Sequence, residues 1–248
     1  MNNNDPIVIT GMARTPMGGF QGVLREVSAP KLGSFAIRAA LERSGLQADD
    51  IDEVLMGCVL PAGMGQAPAR QASLGAGIPN AAGCTTVNKM CGSGMKTTMM
   101  AHDTLRAETN EIMIAGGMES MSNAPLLVNK NLSKIGHEKM IDSMIHDGLW
   151  DAYNAMHMGS CAELLASERK YSRELQDKYA VKSYEKAQNA INKGLFSDEI
   201  ISVNDDGTMI DDEEPGKAKF EKIPLIKPAF EKNGTTVSYT HLTLPTKA

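Results

Sequence analysis

The chain has few cysteines, few aromatic residues and no long apolar run. Its 248 residues include four cysteines and one tryptophan, and aromatic residues make up 4% of it. Four scattered cysteines are too few for a disulfide framework in a chain of this length, which favours free thiols in a reducing compartment. No segment approaches the roughly 20 consecutive apolar residues of a membrane-spanning helix. Each cysteine is therefore expected to be either a small core residue or a reactive group.

An excess of positive charge is also absent. The 25 lysines and arginines stand against 30 aspartates and glutamates, which gives a formal net charge of −5. No global positive field is therefore available to attract nucleic acid or an acidic membrane, and neither is expected as a partner. The first six residues have neither the basic nor the apolar region of a signal peptide, so we expect a cytoplasmic protein.

The first 120 residues alternate between short apolar runs and longer helical patterns. The apolar runs are 6–10, 53–59, 84–88 and 111–115. The helical patterns are 28–43, 66–74 and 92–107. This alternation predicts βαβ crossovers and a mainly parallel sheet, which is an α/β fold.

The pattern changes after residue 120. Residues 121–237 are richer in methionine and polar residues and predict a mostly helical second domain, in which 172–193 is the clearest helix. The last eleven residues, 238–248, contain no acidic residue and no clear period. We expect them to be a non-native tail and leave them out of the fold prediction.

Cys91 is the strongest candidate for chemistry. It lies between a strand-like run and a helical pattern, and the small residues Gly92, Ser93 and Gly94 follow it. A thiol at a helix N-terminus is exposed to unpaired N–H groups and to the positive end of the helix dipole, both of which favour the nucleophilic thiolate. From this short pattern alone, a buried structural cysteine is an equally good interpretation.

Five motifs resemble the thiolase family, in the order and at the spacing of that family from about residue 5 to 237. They are Arg14-Thr-Pro-Met-Gly-Gly-Phe20, Val87-Asn-Lys-Met-Cys-Gly-Ser-Gly-Met95, Ala115-Gly-Gly-Met-Glu-Ser-Met-Ser122, His157-Met-Gly159 and Lys227-Pro-Ala-Phe230. The resemblance implies a thiolase-like fold, with residues 1–120 as the N-terminal α/β half and 121–237 as a loop domain that binds coenzyme A (CoA).

The resemblance also implies an activity, which is acyl transfer between CoA thioesters. Cys91 would be the nucleophile, would carry the acyl group as a thioester, and would offer its own backbone N–H to the oxyanion. Two acetyl-CoA would give acetoacetyl-CoA and CoA, or the reverse. Leu149, His157, Met158 and Phe230 would line the substrate groove, and His157 would not be the catalytic base. No cofactor and no metal are expected, and the full-length form would be a homodimer or homotetramer.

The second half of a thiolase is not recognisable in this sequence. The chain contains no Gly-His-Pro motif and no cysteine after Cys161, although that half of a thiolase supplies an activating histidine and a second cysteine. We therefore expect a chain that resembles the family only to about residue 237 and is nearly inactive alone.

Several alternatives stay open at this point. A 3-ketoacyl-CoA thiolase of fatty-acid oxidation would differ in chain-length preference, and a non-catalytic fragment would bind acyl-CoA without chemistry. A ketosynthase would share the nucleophilic cysteine, but the intact run from Gly116 to Ser120 argues against it. Residues 202–213 resemble a calcium-binding loop, but the segment begins with serine, so we interpret it as an ordinary loop.

Overall fold

A computed structural model describes residues 6–130, 139–203 and 211–237 of the chain. The strands are β1 Glu53–Gly57, β2 Gly83–Val87, β3 Met113–Gly117, β4 Leu126–Leu127, β5 Ile141–Asp142, β6 Trp150–Asp151 and β7 Met156–His157. The α-helices are α1 Ala29–Ser44, α2 Pro68–Gly75, α3 Ser93–Arg106, α4 Met158–Glu168, α5 Arg173–Asn192 and α6 Glu213–Lys217. Among these described helices, none has the length and apolar character needed to cross a membrane.

The chain forms two compact units, and one interrupts the other. The first unit comprises Met1–Met144 and Ser197–Asp211, and the second unit comprises Ile145–Phe196 and Asp212–Ala248. This division differs from the boundary predicted at residue 120, because the described residues 121–130 and 139–144 belong to the first unit. The predicted tail 238–248 and most of the calcium-like loop, 204–210, lie outside the described residues.

Hydrogen bonds hold the described residues 121–130 and 139–144 within the first unit. The Gln21 backbone N–H donates to the Ser122 hydroxyl at 2.8 Å, and the Asn123 amide donates to the Arg25 carbonyl at 2.8 Å. The Ser143 hydroxyl in turn donates to the Pro125 carbonyl at 2.6 Å. The first two bonds link residues about 100 positions apart and the third links residues 18 positions apart, so the local composition does not reveal them.

The centre of the first unit is a parallel three-stranded sheet in the order β2–β1–β3. The β1 strand pairs in parallel with both neighbours, from Glu53 opposite Gly83 and Met113 to Gly57 opposite Val87 and Gly117. Within the described part of this sheet, only β1 has a neighbour on each side, and its residues after Glu53 are all buried. The predicted α/β class and the predicted βαβαβ order are confirmed.

The two faces of the sheet pack against different helices. Val54, Met56 and Cys58 belong to one buried cluster with apolar residues of α1 and α2. The opposite face, which includes Gly57, meets the start of α3. Alternate residues of a strand point to opposite faces, so β1 supplies both layers of the core.

The first apolar run does not form a strand, so that prediction is wrong. Residues 6–10 have no strand partner among the described residues, and Ile9 is 82% exposed. The following segment is held by α1 instead, because the Arg43 guanidinium donates to the Met12 carbonyl at 2.9 Å. An apolar run becomes a strand only where a neighbouring backbone is available to pair with it.

The second unit is mostly helical, as predicted. Ser172 caps α5 by accepting the Leu175 N–H, and this helix confirms the prediction made for 172–193. Arg173 at its start donates to the Ile223 and Ile226 carbonyls at 2.7 and 2.8 Å and pairs with Asp177 at 2.8 Å. A side chain with five donors thus fastens the later segment onto α5.

Candidate functional site

The three parallel strands end at one edge of the sheet. Parallel register puts Gly57, Val87 and Gly117 side by side at this edge. The residues that follow the strands therefore come together, as ligand-binding segments do in other open α/β sheets. They are 58–60 after β1, 88–92 after β2 and 118–120 after β3.

Cys91 lies in the tight turn that joins β2 to α3, which we call the Cys91 turn (residues 88–93). Met90 has a φ of 49°, in the left-handed region that residues other than glycine rarely adopt. The buried Ser93 hydroxyl holds the turn by donating to the Met90 carbonyl at 2.6 Å and accepting the Lys89 N–H at 2.9 Å. Cys91 itself is exposed, so the alternative of a buried structural cysteine does not hold.

The start of α3 packs closely on the sheet because glycine leaves room for it. A Cβ on Gly57 would lie 2.7 Å from Ser93, which is too close for any side chain, and a Cβ on Gly117 would lie 3.4 Å from the Gly94 Cα. Cys91 is thereby held two residues before the first turn of α3, near the positive end of its dipole.

A second thiol at the same edge of the sheet is buried rather than exposed. Cys58 is buried, and its sulfur lies 3.6 Å from a carboxylate oxygen of Glu119. Burial, followed by the charge of the neighbouring Glu119 and the hydrogen bond to it, raises the pKa of Cys58 to about 12. Cys58 is therefore a neutral hydrogen-bond donor at neutral pH, whereas Cys91 is exposed to reagents.

The second unit gathers three of the other predicted site residues. His157 caps α4, because its Nδ1 accepts the Gly159 N–H at 2.9 Å. An accepting Nδ1 assigns the ring proton of the neutral imidazole to Nε2. The ring stacks on Phe230, with centroids 5.0 Å apart and planes 23° apart. Met158 is the first residue of α4 and is 37% exposed.

Leu149 belongs to the same part of the second unit but is placed differently. It is half-buried at the end of a π-helical turn, Met144–Leu149, directly before β6. The next residue, Trp150, pairs with His157 across the β6–β7 hairpin. Leu149 is thus linked to the His157 ring through backbone pairing, while Phe230 reaches that ring by stacking.

A buried carboxylate fixes the segment that carries Phe230. Glu163 on α4 is 6% exposed and accepts the Thr235 N–H at 2.9 Å and the Thr236 N–H at 2.6 Å. Gly159 adds to this fit, since a Cβ at that position would overlap the Phe230 ring. Residues 229–237 are therefore held against α4 by hydrogen bonds and by shape.

The sequence did not single out Glu119, Ser93 or Glu163 as parts of a site. Glu119 and Ser93 stand inside quoted motifs, and a polar residue among glycines at a strand end is the signal that points to them. Glu163 gives no comparable signal, because its partners at Thr235 and Thr236 are more than 70 residues away. As for metals, no group of three histidine, cysteine or acidic side chains in the described ranges could hold an ion.

Comparison with known proteins identifies the family. The model of the thiolase N-terminal domain matches residues 7–240. The chain belongs to the thiolase family. It is 48% identical to acetyl-CoA acetyltransferase 2 of Arabidopsis thaliana over 95% of its length, and 44% identical to the human mitochondrial acetyl-CoA acetyltransferase over 94%.

A solved structure has the same fold. A thiolase from Ascaris suum, Acat5, crystallised in complex with coenzyme A, superposes with a TM-score of 0.88 at 37% identity over 92% of this chain. The chain spans 61% of the Arabidopsis protein, 56% of the human protein and 59% of the Ascaris chain. The fold resemblance predicted from the five motifs is confirmed.

Proposed function

We propose that this chain carries the nucleophile-bearing part of an acetyl-CoA C-acetyltransferase, which transfers acetyl groups between CoA thioesters. The observation that supports it most is the exposed Cys91 at the carboxyl edge of a parallel sheet and at the start of α3. The names of the related proteins favour acetyl groups over longer chains, which a 3-ketoacyl-CoA thiolase would prefer.

The first half-reaction is acyl transfer to Cys91. Its thiolate attacks the thioester carbonyl of acetyl-CoA and forms a carbon–sulfur bond, and the carbonyl oxygen becomes an oxyanion. The Cys91 backbone N–H is proposed to stabilise that oxyanion. When the oxyanion collapses, the bond to the CoA sulfur breaks, and CoA leaves as a thiolate that takes up a proton. S-acetyl-Cys91 is the product.

The second half-reaction joins two acetyl groups. A base removes a proton from the α-carbon of a second acetyl-CoA, and the carbanion attacks the S-acetyl carbonyl. The Cys91 thiolate leaves, and acetoacetyl-CoA is released. No described residue is assigned as this base, and His157 is not proposed for it, because its Nδ1 is already engaged as the cap of α4.

The second unit is proposed to bind the CoA part of the substrate. Leu149, His157, Met158 and Phe230 would contact it, and the stacked His157 and Phe230 rings offer both an apolar surface and an Nε2 donor. CoA thioesters are substrates in this proposal, so no cofactor is needed. A homodimer or homotetramer of the full-length form, and a cytoplasmic location, remain proposals. Cell fractionation tests the location, since several relatives are mitochondrial.

The experiment is acetylation of the chain by acetyl-CoA, followed by peptide mass spectrometry. We expect an acetyl group on the Cys91 peptide that is absent in Cys91→Ala and retained in the matched control Cys84→Ala, which removes a half-buried thiol of β2. Tight acetyl-CoA binding with no acetyl adduct would support a non-catalytic acyl-CoA binder instead. Faster acylation by long-chain acyl-CoA would support a 3-ketoacyl-CoA thiolase.

A further inference from the structure

A carboxylate accepts hydrogen bonds at the edge of the sheet next to the Cys91 turn. Glu119, the second residue after β3, is half-buried and accepts the Val59 N–H at 2.8 Å and the Leu60 N–H at 3.1 Å. The Cys58 sulfur is its third donor, at 3.6 Å. Three donors from the segment after β1 therefore converge on one side chain that follows β3.

The segment held by Glu119 is bonded in turn to the segment that carries Cys91. The Cys58 N–H donates to the Val87 carbonyl at 3.0 Å, which extends the pairing of β1 and β2 by one residue. The Asn88 amide donates to the Val59 carbonyl at 3.5 Å and accepts the Met90 N–H at 3.0 Å. Backbone and side-chain bonds thus run from residues 58–60 to the residue before Cys91.

The Cys91 turn depends on such contacts, because it contains a residue with a strained backbone. Met90 adopts a left-handed backbone, a conformation that costs about 1 kcal/mol for a residue with a Cβ and persists only where the surroundings fix it. The Ser93 hydroxyl fixes the turn from the α3 side, and the contacts of Asn88 fix it from the sheet side.

We propose that Glu119 is a positioning residue, which aligns the Cys91 thiolate and backbone N–H for acyl transfer by holding residues 58–60 and, through them, the Cys91 turn. The inference rests on the proposed function of Cys91. A carboxylate suits this position because it only accepts hydrogen bonds, and all three of its neighbours donate. Glutamine would turn an N–H group towards one of those donors and leave it unpaired.

The test compares two reactions of the same sulfur in the full chain. Acetylation by p-nitrophenyl acetate passes through an oxyanion, whereas alkylation by iodoacetamide does not, and neither reagent needs a CoA site. We expect Glu119→Gln to lower the acetylation rate of Cys91 about tenfold while its alkylation rate changes less than about threefold, because alignment matters to only one reaction. Glu42→Gln, an exposed carboxylate on α1, is the matched control.

Two further measurements separate positioning from unfolding. Cys58 should stay unalkylated in Glu119→Gln; if it reacts, the comparison is repeated with Glu119→Asp, which keeps the charge and should show a smaller drop. Asn88→Ala should also lower the ratio of the acetylation rate to the alkylation rate of Cys91. In the double variant of Glu119 and Asn88, this ratio should be no lower than in the more affected single variant. A ratio of acetylation to alkylation equal to that of Glu42→Gln overturns the proposal.

The proposed function can fail separately from this inference. Absence of S-acetyl-Cys91 after incubation of the unchanged chain with acetyl-CoA would count against the acetyltransferase. The ratio measured with p-nitrophenyl acetate and iodoacetamide would still decide the role of Glu119.

Discussion

The two units hold their candidate functional residues by different means. In the first unit, parallel strands end side by side, and the Cys91 turn is fixed by bonds between the segments that follow them. In the second unit no such sheet is described, and a helix N-terminus and two stacked rings set the geometry. Even so, a glutamate beside the candidate residues accepts backbone N–H groups in each unit, Glu119 in the first and Glu163 in the second.

Burial of that carboxylate is where the units differ most. Glu163 in the second unit is almost fully buried, whereas Glu119 in the first is half-buried. A buried N–H that loses its acceptor cannot turn to water, so its loss costs more than the loss of an exposed bond. We infer that Glu163 mainly stabilises its unit, while Glu119 mainly controls local geometry.

The largest expected effect is a difference in the rate of alkylation between Cys58 and Cys91. With a pKa of about 12, Cys58 is a thiolate in only about one molecule in ten thousand at pH 8, and it is also buried. Iodoacetamide should label Cys91 at least about 100-fold faster than Cys58, as measured by peptide mass spectrometry. The difference should vanish in denaturing urea. Comparable labelling rates in the native chain would remove the distinction between the two thiols.

The next effect tests the buried carboxylate of the second unit. Glu163→Gln should lower the free energy of unfolding by about 2–4 kcal/mol, because the N–H groups of Thr235 and Thr236 lose a charged acceptor. Trp150 is the single tryptophan and lies in the second unit, so its fluorescence in a urea titration follows that unit. Glu168→Gln, an exposed carboxylate of α4, is the control. Equal urea midpoints for both variants would mean that Glu163 is replaceable.

A smaller effect tests how closely Phe230 packs. Gly159→Ala should destabilise the second unit by about 1–3 kcal/mol, because the added methyl group overlaps the ring. Gly216→Ala, where a Cβ would meet open space in the same unit, should change stability by less than about 1 kcal/mol. Both are measured by Trp150 fluorescence in urea. If the two variants have the same urea midpoint, residues 229–237 can move away from α4 to make room for the added methyl group.

The smallest effect concerns the far end of the sheet in the first unit. Asp52 accepts the Glu111 and Ile112 N–H groups at 2.7 and 3.0 Å, and the bond from Ile112, followed by that from Glu111, lowers its pKa below 3.8. A lowered folded-state pKa adds stability that is fully present above pH 3.8 and is lost as the pH falls through the folded value. Asp52→Asn should therefore destabilise the first unit at pH 7 and flatten its acid dependence.

In this experiment the unfolding of the first unit is measured by the reaction of the buried Cys58 with a thiol reagent that works at acidic pH. Asp49→Asn, an exposed neighbour, is the control and should follow the unchanged chain. A slope with pH in Asp52→Asn as steep as that of the unchanged chain would assign the acid sensitivity to other carboxylates.

Much of the fold was predictable because its signals are local. The bounds of α1 were predicted within one residue, since Pro30 lies in its first turn and Gly45 adopts the left-handed conformation at its end. The parallel strands followed from alternation with helices. The run 6–10 misled because strand formation depends on a partner, and the extent of the first unit depends on bonds between residues such as Gln21 and Ser122.

The candidate site was predictable only in part for the same reason. Cys91 and His157 stand in recognisable motifs, and the predictions of their roles remain to be tested. The carboxylates of Glu119 and Glu163 act across 59–61 and 72–73 residues of chain. A single sequence therefore indicates which side chains carry chemistry more readily than which side chains hold them in place.

The interruption of one unit by the other has a consequence for biosynthesis. Arg14 pairs with Glu199, 185 residues later, so the first unit cannot be complete until the ribosome has passed residue 199. At about 5–20 residues per second, about 4–16 seconds separate the synthesis of Glu119 from that of Glu199. During this interval the sheet edge and the Cys91 turn can form while the first unit is still incomplete. In a nascent chain, Cys91 is therefore present before its unit has gained the Arg14–Glu199 pair.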